Sequence, residues 1–166
     1  MSFLLIFLLL FQPIKGTSTN LDYGSKCEDS CMVTCASDFE KNGDRCFYWS
    51  SRSGGNRTWY GAENYCRWRG GHLATIKERQ LRWSTIATRW MGGIREAGNN
   101  AWVWSDCSPW IYTAWSEGTS KKQPDKDTCL SFSGDQKMNE ESCTNNNTYI
   151  CSVPVCSGDI LFKVSD

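Results

Sequence analysis

The stretch from Gln123 to Cys151, QPDKDTCLSFSGDQKMNEESCTNNNTYIC, decides how the rest of the chain is read. Gln123, Asp125 and Asp127 precede Cys129, while Asn139 and Glu140 stand just before Cys143. Two short clusters of oxygen-bearing side chains, each beside a cysteine, suit a hard cation such as Ca²⁺, which takes about 6–8 oxygen ligands in a forgiving geometry. Ordinary loops also collect Asp, Asn and Gln, because these side chains satisfy a turning backbone. The cluster therefore gains meaning only from its surroundings.

Working outward, the N-terminus reads MSFLLIFLLLF and is followed by the small residues Gly16-Thr17-Ser18. The apolar run is too short for a membrane span and has the form of a secretory signal peptide over residues 1–18, a short anchor being the alternative. No second apolar run follows, so the mature chain is expected to be soluble and extracellular. The full chain has 166 residues, which leaves room for one domain. Ten cysteines in a secreted chain of this size indicate a disulfide framework rather than metal thiolates. Asn56-Arg57-Thr58 and Asn146-Asn147-Thr148 are N-glycosylation acceptors that fit that compartment.

Formal net charge is zero, which removes the usual argument for nucleic acid or an anionic membrane as partner. The charge is uneven along the chain. From Arg45 to Arg95 there are nine arginines and Lys77 against Glu63 and Glu78 alone. Solvent faces of two helices account for such a run, a surface for a sulfated or phosphorylated anion being the sharper alternative.

Residues 19–34 read as a leader with extra cysteines, Cys27 and Cys31. Cys35 to Cys46 reads as a hairpin turned at Asn42-Gly43, with Phe47-Tyr48-Trp49 continuing a strand. Trp59, Ala62 and Cys66 fall at helical spacing, predicting a helix over 58–68 closed by Gly70-Gly71. Thr75-Ile76-Lys77-Glu78 is a capping box, and Trp83, Ile86, Ala87 and Trp90 follow as the buried stripe of a second helix. Short strands are then expected at 101–104, 111–112, 129–132 and 149–151. Trp102, Trp104, Trp110 and Trp115 are read as core rather than as stacking platforms, because aromatic rings bury large areas.

Cys35 through Cys46-Phe47-Tyr48, Gly70-Gly71-His72-Leu73-Ala74, Trp90-Met91-Gly92-Gly93 and Ala101-Trp102-Val103-Trp104-Ser105-Asp106 occur in that order. Gln123-Pro124-Asp125, Cys129, Cys143 and Tyr149-Ile150-Cys151 complete the series. In this order and spacing the chain resembles a C-type lectin-like domain over residues 35–152, with a tail at 153–166. The resemblance implies an α+β fold, two helices packed on small antiparallel sheets with a long binding loop, and disulfides Cys35–Cys46, Cys66–Cys151 and Cys129–Cys143. Cys27, Cys31, Cys107 and Cys156 fall outside that framework. Since the termini of this fold lie close together, Cys156 is expected to bond Cys27 or Cys31. Cys107 stands where such lectins usually carry glycine, so it is expected as a free thiol or as a link in a disulfide-bonded oligomer, for which Cys27 and Cys31 are further candidates.

The resemblance also implies function. Gln123-Pro124-Asp125 is similar to the galactose-type version of the family's Ca²⁺-binding tripeptide, whose proline is cis. Gln123, Asp125, Asp127, Asn139 and Glu140 are then the implied Ca²⁺ ligands and the hydrogen-bond partners of a sugar such as galactose or N-acetylgalactosamine. The family's Trp-Asn-Asp triplet stands here as Met138-Asn139-Glu140. His72 matches a family position with no catalytic duty, and no Gly-x-Ser-x-Gly elbow is present, so the parts of a hydrolase are missing. The expected protein is a secreted Ca²⁺-dependent lectin with a defence or agglutinating role and glycans bearing terminal galactose-type sugars as partners. The alternative is a Ca²⁺-independent, protein-binding or toxin-like member, with an antifreeze role more distant.

Overall fold

The computed structural model describes residues 27, 30–53, 55–77, 87–117, 125–135 and 137–157. Its first element is the expected hairpin, β1 (Phe39–Asn42) against β2 (Arg45–Trp49). Gly43 turns it at a φ of 59°, a conformation that only glycine adopts cheaply. A single 3₁₀ turn, Ser50–Arg52, leads toward helix α1, Trp59–Trp68. Thr58 caps α1, its hydroxyl accepting the Gly61 N–H at 3.2 Å, and Trp59, Ala62, Glu63 and Cys66 form the buried face at helical spacing.

The remaining elements among the described residues are strands: β3 (His72–Leu73), β4 (Arg89–Arg95), β5 (Val103–Trp104), β6 (Thr128–Phe132), β7 (Met138–Ser142) and β8 (Thr148–Pro154). The main sheet runs β1-β2-β8-β4-β6-β7, with β3 added on β8 and β5 on β4. It is mixed rather than antiparallel throughout, because β4 and β8 pair in parallel at Arg89↔Thr148 and Trp90↔Tyr149. The described residues between β4 and β6, 96–117 and 125–127, belong to the long loop of the fold.

Most of the second helix expected after Thr75 falls on residues 78–86, outside the described residues. Two members of its stripe are described and are not helical. Ala87 is an exposed bend, and Trp90 is fully buried in β4 with its indole N–H donating to the Arg57 carbonyl at 2.9 Å. Pairing on both sides, with β8 and with β6, holds Trp90 extended whatever its spacing suggests. Gly92 shows how tightly β4 is packed. A Cβ there would lie 2.7 Å from the Leu73 carbonyl oxygen.

All ten cysteines are bonded within the chain. Cys35–Cys46, Cys66–Cys151 and Cys129–Cys143 are the pairs that the resemblance implied. Cys156 bonds Cys31. The expectation of a free or intermolecular Cys107 is corrected, because Cys107 bonds Cys27, their Cα atoms being 5.5 Å apart. No cysteine is left to link an oligomer, so the link through Cys107, Cys27 or Cys31 falls with it. The ends of the domain also meet directly. Met32 N–H donates to the Pro154 carbonyl at 2.8 Å and Cys156 N–H to the Met32 carbonyl at 2.9 Å, so residues of the leader and the tail are sewn into one edge.

Two apolar clusters fill the molecule. One joins α1 to Phe39, Tyr48, Leu73, Trp90, Tyr149 and Val153. The other gathers Met91, Trp104, Leu130, Phe132, Met138 and Ile150, with Trp102, Trp110 and Trp115 half-buried against it. The tryptophans of the long loop thus serve as core, Trp104 and Trp110 stacking with centroids 4.3 Å apart. Among the described residues no helix is long and apolar enough to cross a membrane.

Candidate functional site

The first oxygen cluster stands where β4 finishes and β6 begins, and the second lies further along the β6–β7 pair, opposite Ser131 and Leu130. The register Arg95↔Thr128 places Arg95 opposite the residue that follows Asp127, and β7 lies on the other side of β6 with Leu130↔Glu140 and Ser131↔Asn139. Cys129–Cys143 closes the β6–β7 hairpin beneath this end. Within this stretch β6 and β7 therefore form one edge of the sheet, whereas β8 lies inside it between β2 and β4.

Each predicted site residue within the described part has a definite place. Gln123 and Pro124, with the geometry of their peptide bond, lie outside the described residues. Asp125 is exposed in a bend. Asp127 is half-buried: one carboxylate oxygen accepts the Tyr60 hydroxyl and the other the Ala97 N–H at 2.9 Å. These donors, Tyr60 first, hold its carboxyl below the ordinary aspartate value against the opposing effect of burial. On the other side of that bond, the Tyr60 phenol is pushed up, by burial first and then by Asp127.

Asn139 and Glu140 are consecutive in β7, and consecutive strand residues face opposite ways. Their partners differ accordingly. The Asn139 carboxamide oxygen accepts the Ser116 hydroxyl at 2.6 Å, and its NH₂ donates to the Ser133 hydroxyl at 2.9 Å. Glu140 Oε1 instead accepts from Arg95 Nη2 at 3.0 Å, in an ion pair whose side chains are 12% and 6% exposed. Burial pushes the Glu140 carboxyl up, and the Arg95 charge pulls it back. Arg95 also lies over the Trp102 ring, 5.3 Å from its centroid.

A test of this donor set against Ca²⁺ divides chemistry from arrangement. Carboxylate and amide oxygens are the right ligands. As arranged they do not fit, because both Asp127 oxygens and the Asn139 oxygen already accept protein hydrogen bonds and Glu140 is paired with a guanidinium. Among the described residues no group of three or more His, Cys, Asp or Glu side chains is placed to hold a metal ion.

Sequence reasoning missed Arg95, Tyr60, Ser116 and Ser133. For Arg95 a signal existed, since a charge ending the strand Arg89-Trp90-Met91-Gly92-Gly93-Ile94-Arg95 is buried only with a partner. The serines and Tyr60 carried no such mark, being ordinary polar residues far away in the chain. His72 has a carboxylate partner in Glu63. Its Nδ1 lies 2.5 Å from Glu63 Oε1, and Glu63 Oε2 accepts the Leu73 N–H at 2.9 Å. Both side chains are shut in the core, so the pair ties α1 to β3 rather than facing a substrate.

A disulfide-laced mixed sheet with, among the described residues, one α-helix packed on it and polar groups at the foot of a long loop is the architecture of a C-type lectin-like domain. The comparisons agree: the chain matches the Lectin C-type domain over residues 55–153 and belongs to that family. It is 30% identical over 146 residues to a type-2 ice-structuring protein of Brachyopsis segaliensis, covering 84% of each chain. It is 26% identical over 145 residues to the galactose-specific lectin nattectin of Thalassophryne nattereri, covering 80% of this chain and 88% of that one. Among solved structures, a calcium-independent type II antifreeze protein superposes with a TM-score of 0.65 at 25% identity, covering 74% of this chain and 96% of its own. These relatives are a lectin and ice-structuring or antifreeze proteins, and this domain is not an enzyme.

Proposed function

We propose that the protein is a secreted lectin that binds galactose-type glycans at the long-loop end of its sheet without an obligatory Ca²⁺. The observation that carries this reading is the buried Arg95–Glu140 pair beside half-buried indoles. A carboxylate already held by a guanidinium is oriented to accept a sugar hydroxyl, and the half-buried indoles keep part of their surface open to the apolar C–H side of a pyranose. Asp125, exposed, and Glu140, held by Arg95, are the described residues offered to the ligand, and Gln123, Asp127 and Asn139 join them only through the family resemblance. The neutral amide at 123 and the carboxylate at 125 support the galactose preference through the resemblance of that tripeptide, as does the similarity to nattectin. A secreted, glycosylated form agrees with the exposure of Asn56 and Asn146.

The second reading is the Ca²⁺-dependent lectin, in which the same five residues ligate the ion. It is favoured by the oxygen chemistry of the set and by the exposed Asp125 carboxylate. The test is retention on immobilised galactose, compared with mannose, in Ca²⁺ and in EDTA. Retention in both buffers, with release by free galactose, is the expected result, and Asp125→Ala is expected to lose it while the near-ultraviolet dichroism stays unchanged. Retention in Ca²⁺ alone selects the second reading. Passage through the column in both buffers rejects sugar binding and leaves a Ca²⁺-independent, protein-binding role for the same face.

A further inference from the structure

We propose that Arg95 is a built-in cation that occupies the charge position of a metal at the ligand face and keeps the loop-end carboxylates from taking up Ca²⁺. The proposal rests on the reading of that end as the ligand face. Arg95 closes β4 and is 5% exposed, with Nη2 3.0 Å from Glu140 and its charge over Trp102. Its register partner is Thr128, the residue after Asp127, and its guanidinium reaches across to Glu140 in β7. A divalent ion drawn to Glu140 would meet a positive charge already there. At that degree of burial like charges repel far more strongly than in water.

Three properties make the guanidinium effective in this role. It cannot lose its proton at any pH a protein survives, so the charge is permanent. It is anchored, because β4 is paired with β5, β6 and β8 and the side chain is held between Glu140 and an indole face. Its Nε is also buried without a hydrogen-bond partner. Such an orphaned donor is costly in an apolar setting, so the Glu140 pair and the Trp102 face are what keep the charge in place. A pair serving only as scaffold explains the burial but predicts no effect on metal uptake.

The experiment uses the full chain as wild type, Arg95→Gln, Arg95→Met and the double variant Arg95→Gln/Glu140→Gln. Calorimetric titration with Ca²⁺ and melting in Ca²⁺ against EDTA are read, with near-ultraviolet dichroism of the tryptophan cluster as the folding check. Wild type is expected to melt alike in both buffers and to take up no Ca²⁺ at millimolar concentration. Arg95→Gln is expected to bind Ca²⁺ about 5- to 150-fold more tightly than wild type, the usual range for coupled sites, and to melt higher in Ca²⁺. The double variant is expected to lose that gain. Wild type binding Ca²⁺ as tightly as Arg95→Gln overturns the proposal, as does a folded Arg95→Gln that gains nothing. Should the glutamine variant not fold, Arg95→Met keeps an aliphatic stem against Trp102 and is read in the same way. Variants that fold only in Ca²⁺ support the proposal, whereas variants that fold in neither buffer make Arg95 scaffold and overturn it. Gain of Ca²⁺ by Arg95→Gln while no variant is retained on galactose keeps the role of Arg95 and rejects the glycan reading.

Discussion

At Arg69 a single guanidinium lies over the rings of Phe39, Tyr48, Tyr65 and Trp68, 4.6 to 5.9 Å from their centroids, and donates to Asp38 at 2.9 Å. The Arg69 hydrogen bond, ahead of all else, holds the Asp38 carboxyl below the usual aspartate value of 3.8. Asp38 is half exposed, so the pair contributes only about 0.2–1 kcal/mol, less at high salt. A depressed carboxyl stabilises the fold above its unfolded value and loses that contribution as the pH falls through its folded one. Asp38→Asn is therefore expected to lower urea stability by that amount near neutrality, the difference from wild type vanishing below pH 3.8 as the wild-type carboxyl is protonated. Arg69→Lys is expected to cost more than Asp38→Asn, because lysine lacks the planar fork that both stacks and donates. The arginine run was legible as a run but not as individuals. Arg89 and Arg95, counted among helix solvent faces, are 4% and 5% exposed in a central strand, since burial depends on what the sheet places around them.

Strand β4 shows the same limit one level up. Trp90-Met91-Gly92-Gly93 carried the family resemblance, yet spacing assigned Trp90 to a helix, and only the pairings with β6 and β8 make it strand. Gly92→Ala is expected to destabilise by about 1–3 kcal/mol, the usual cost of overpacking, because the clash at 2.7 Å is with the backbone carbonyl of Leu73, which cannot turn aside. Chemical denaturation with an unchanged slope checks it. Strand β7 was not foreseen at all. Met138-Asn139-Glu140-Glu141-Ser142 lacks the β-branched and aromatic residues that mark a strand, and it is extended because β6 pairs with it and Cys143 is bonded to Cys129. Cys129→Ser/Cys143→Ser is expected to cost about 3 kcal/mol in the chain-entropy account of a loop this short. Loss of retention on the ligand column before loss of global fold would show that the hairpin positions Asn139 and Glu140.

On the scale of the molecule, five bridges tie every part of the domain to another. Cys31–Cys156 joins residues 125 apart in sequence, and Cys66–Cys151 binds α1 to β8. With all ten cysteines paired internally, electrophoresis is expected to show a monomer band both with and without reductant, slower when reduced because the chain then expands. A dimer band that disappears on reduction would contradict the pairing of Cys27 with Cys107. The two sequons also meet, since Arg57 and Asn147 exchange backbone hydrogen bonds at 3.0 Å in each direction. Glycans at Asn56 and Asn146 would therefore leave from one edge of the molecule.

The order of cysteines, tryptophans and glycines was enough to define the class of domain, the α1 helix, the first hairpin and three of the disulfides, because these depend on local spacing or on a family pattern. The partners of Asp127, Asn139 and Glu140 were decided by tertiary structure alone. Each is satisfied by a group brought from another element, Tyr60 and Ala97, Ser116 and Ser133, or Arg95. A list of oxygen donors describes what a site can bind. Whether those oxygens are free to bind it depends on which donors the fold has already turned toward them, and no spacing rule along one chain carries that information.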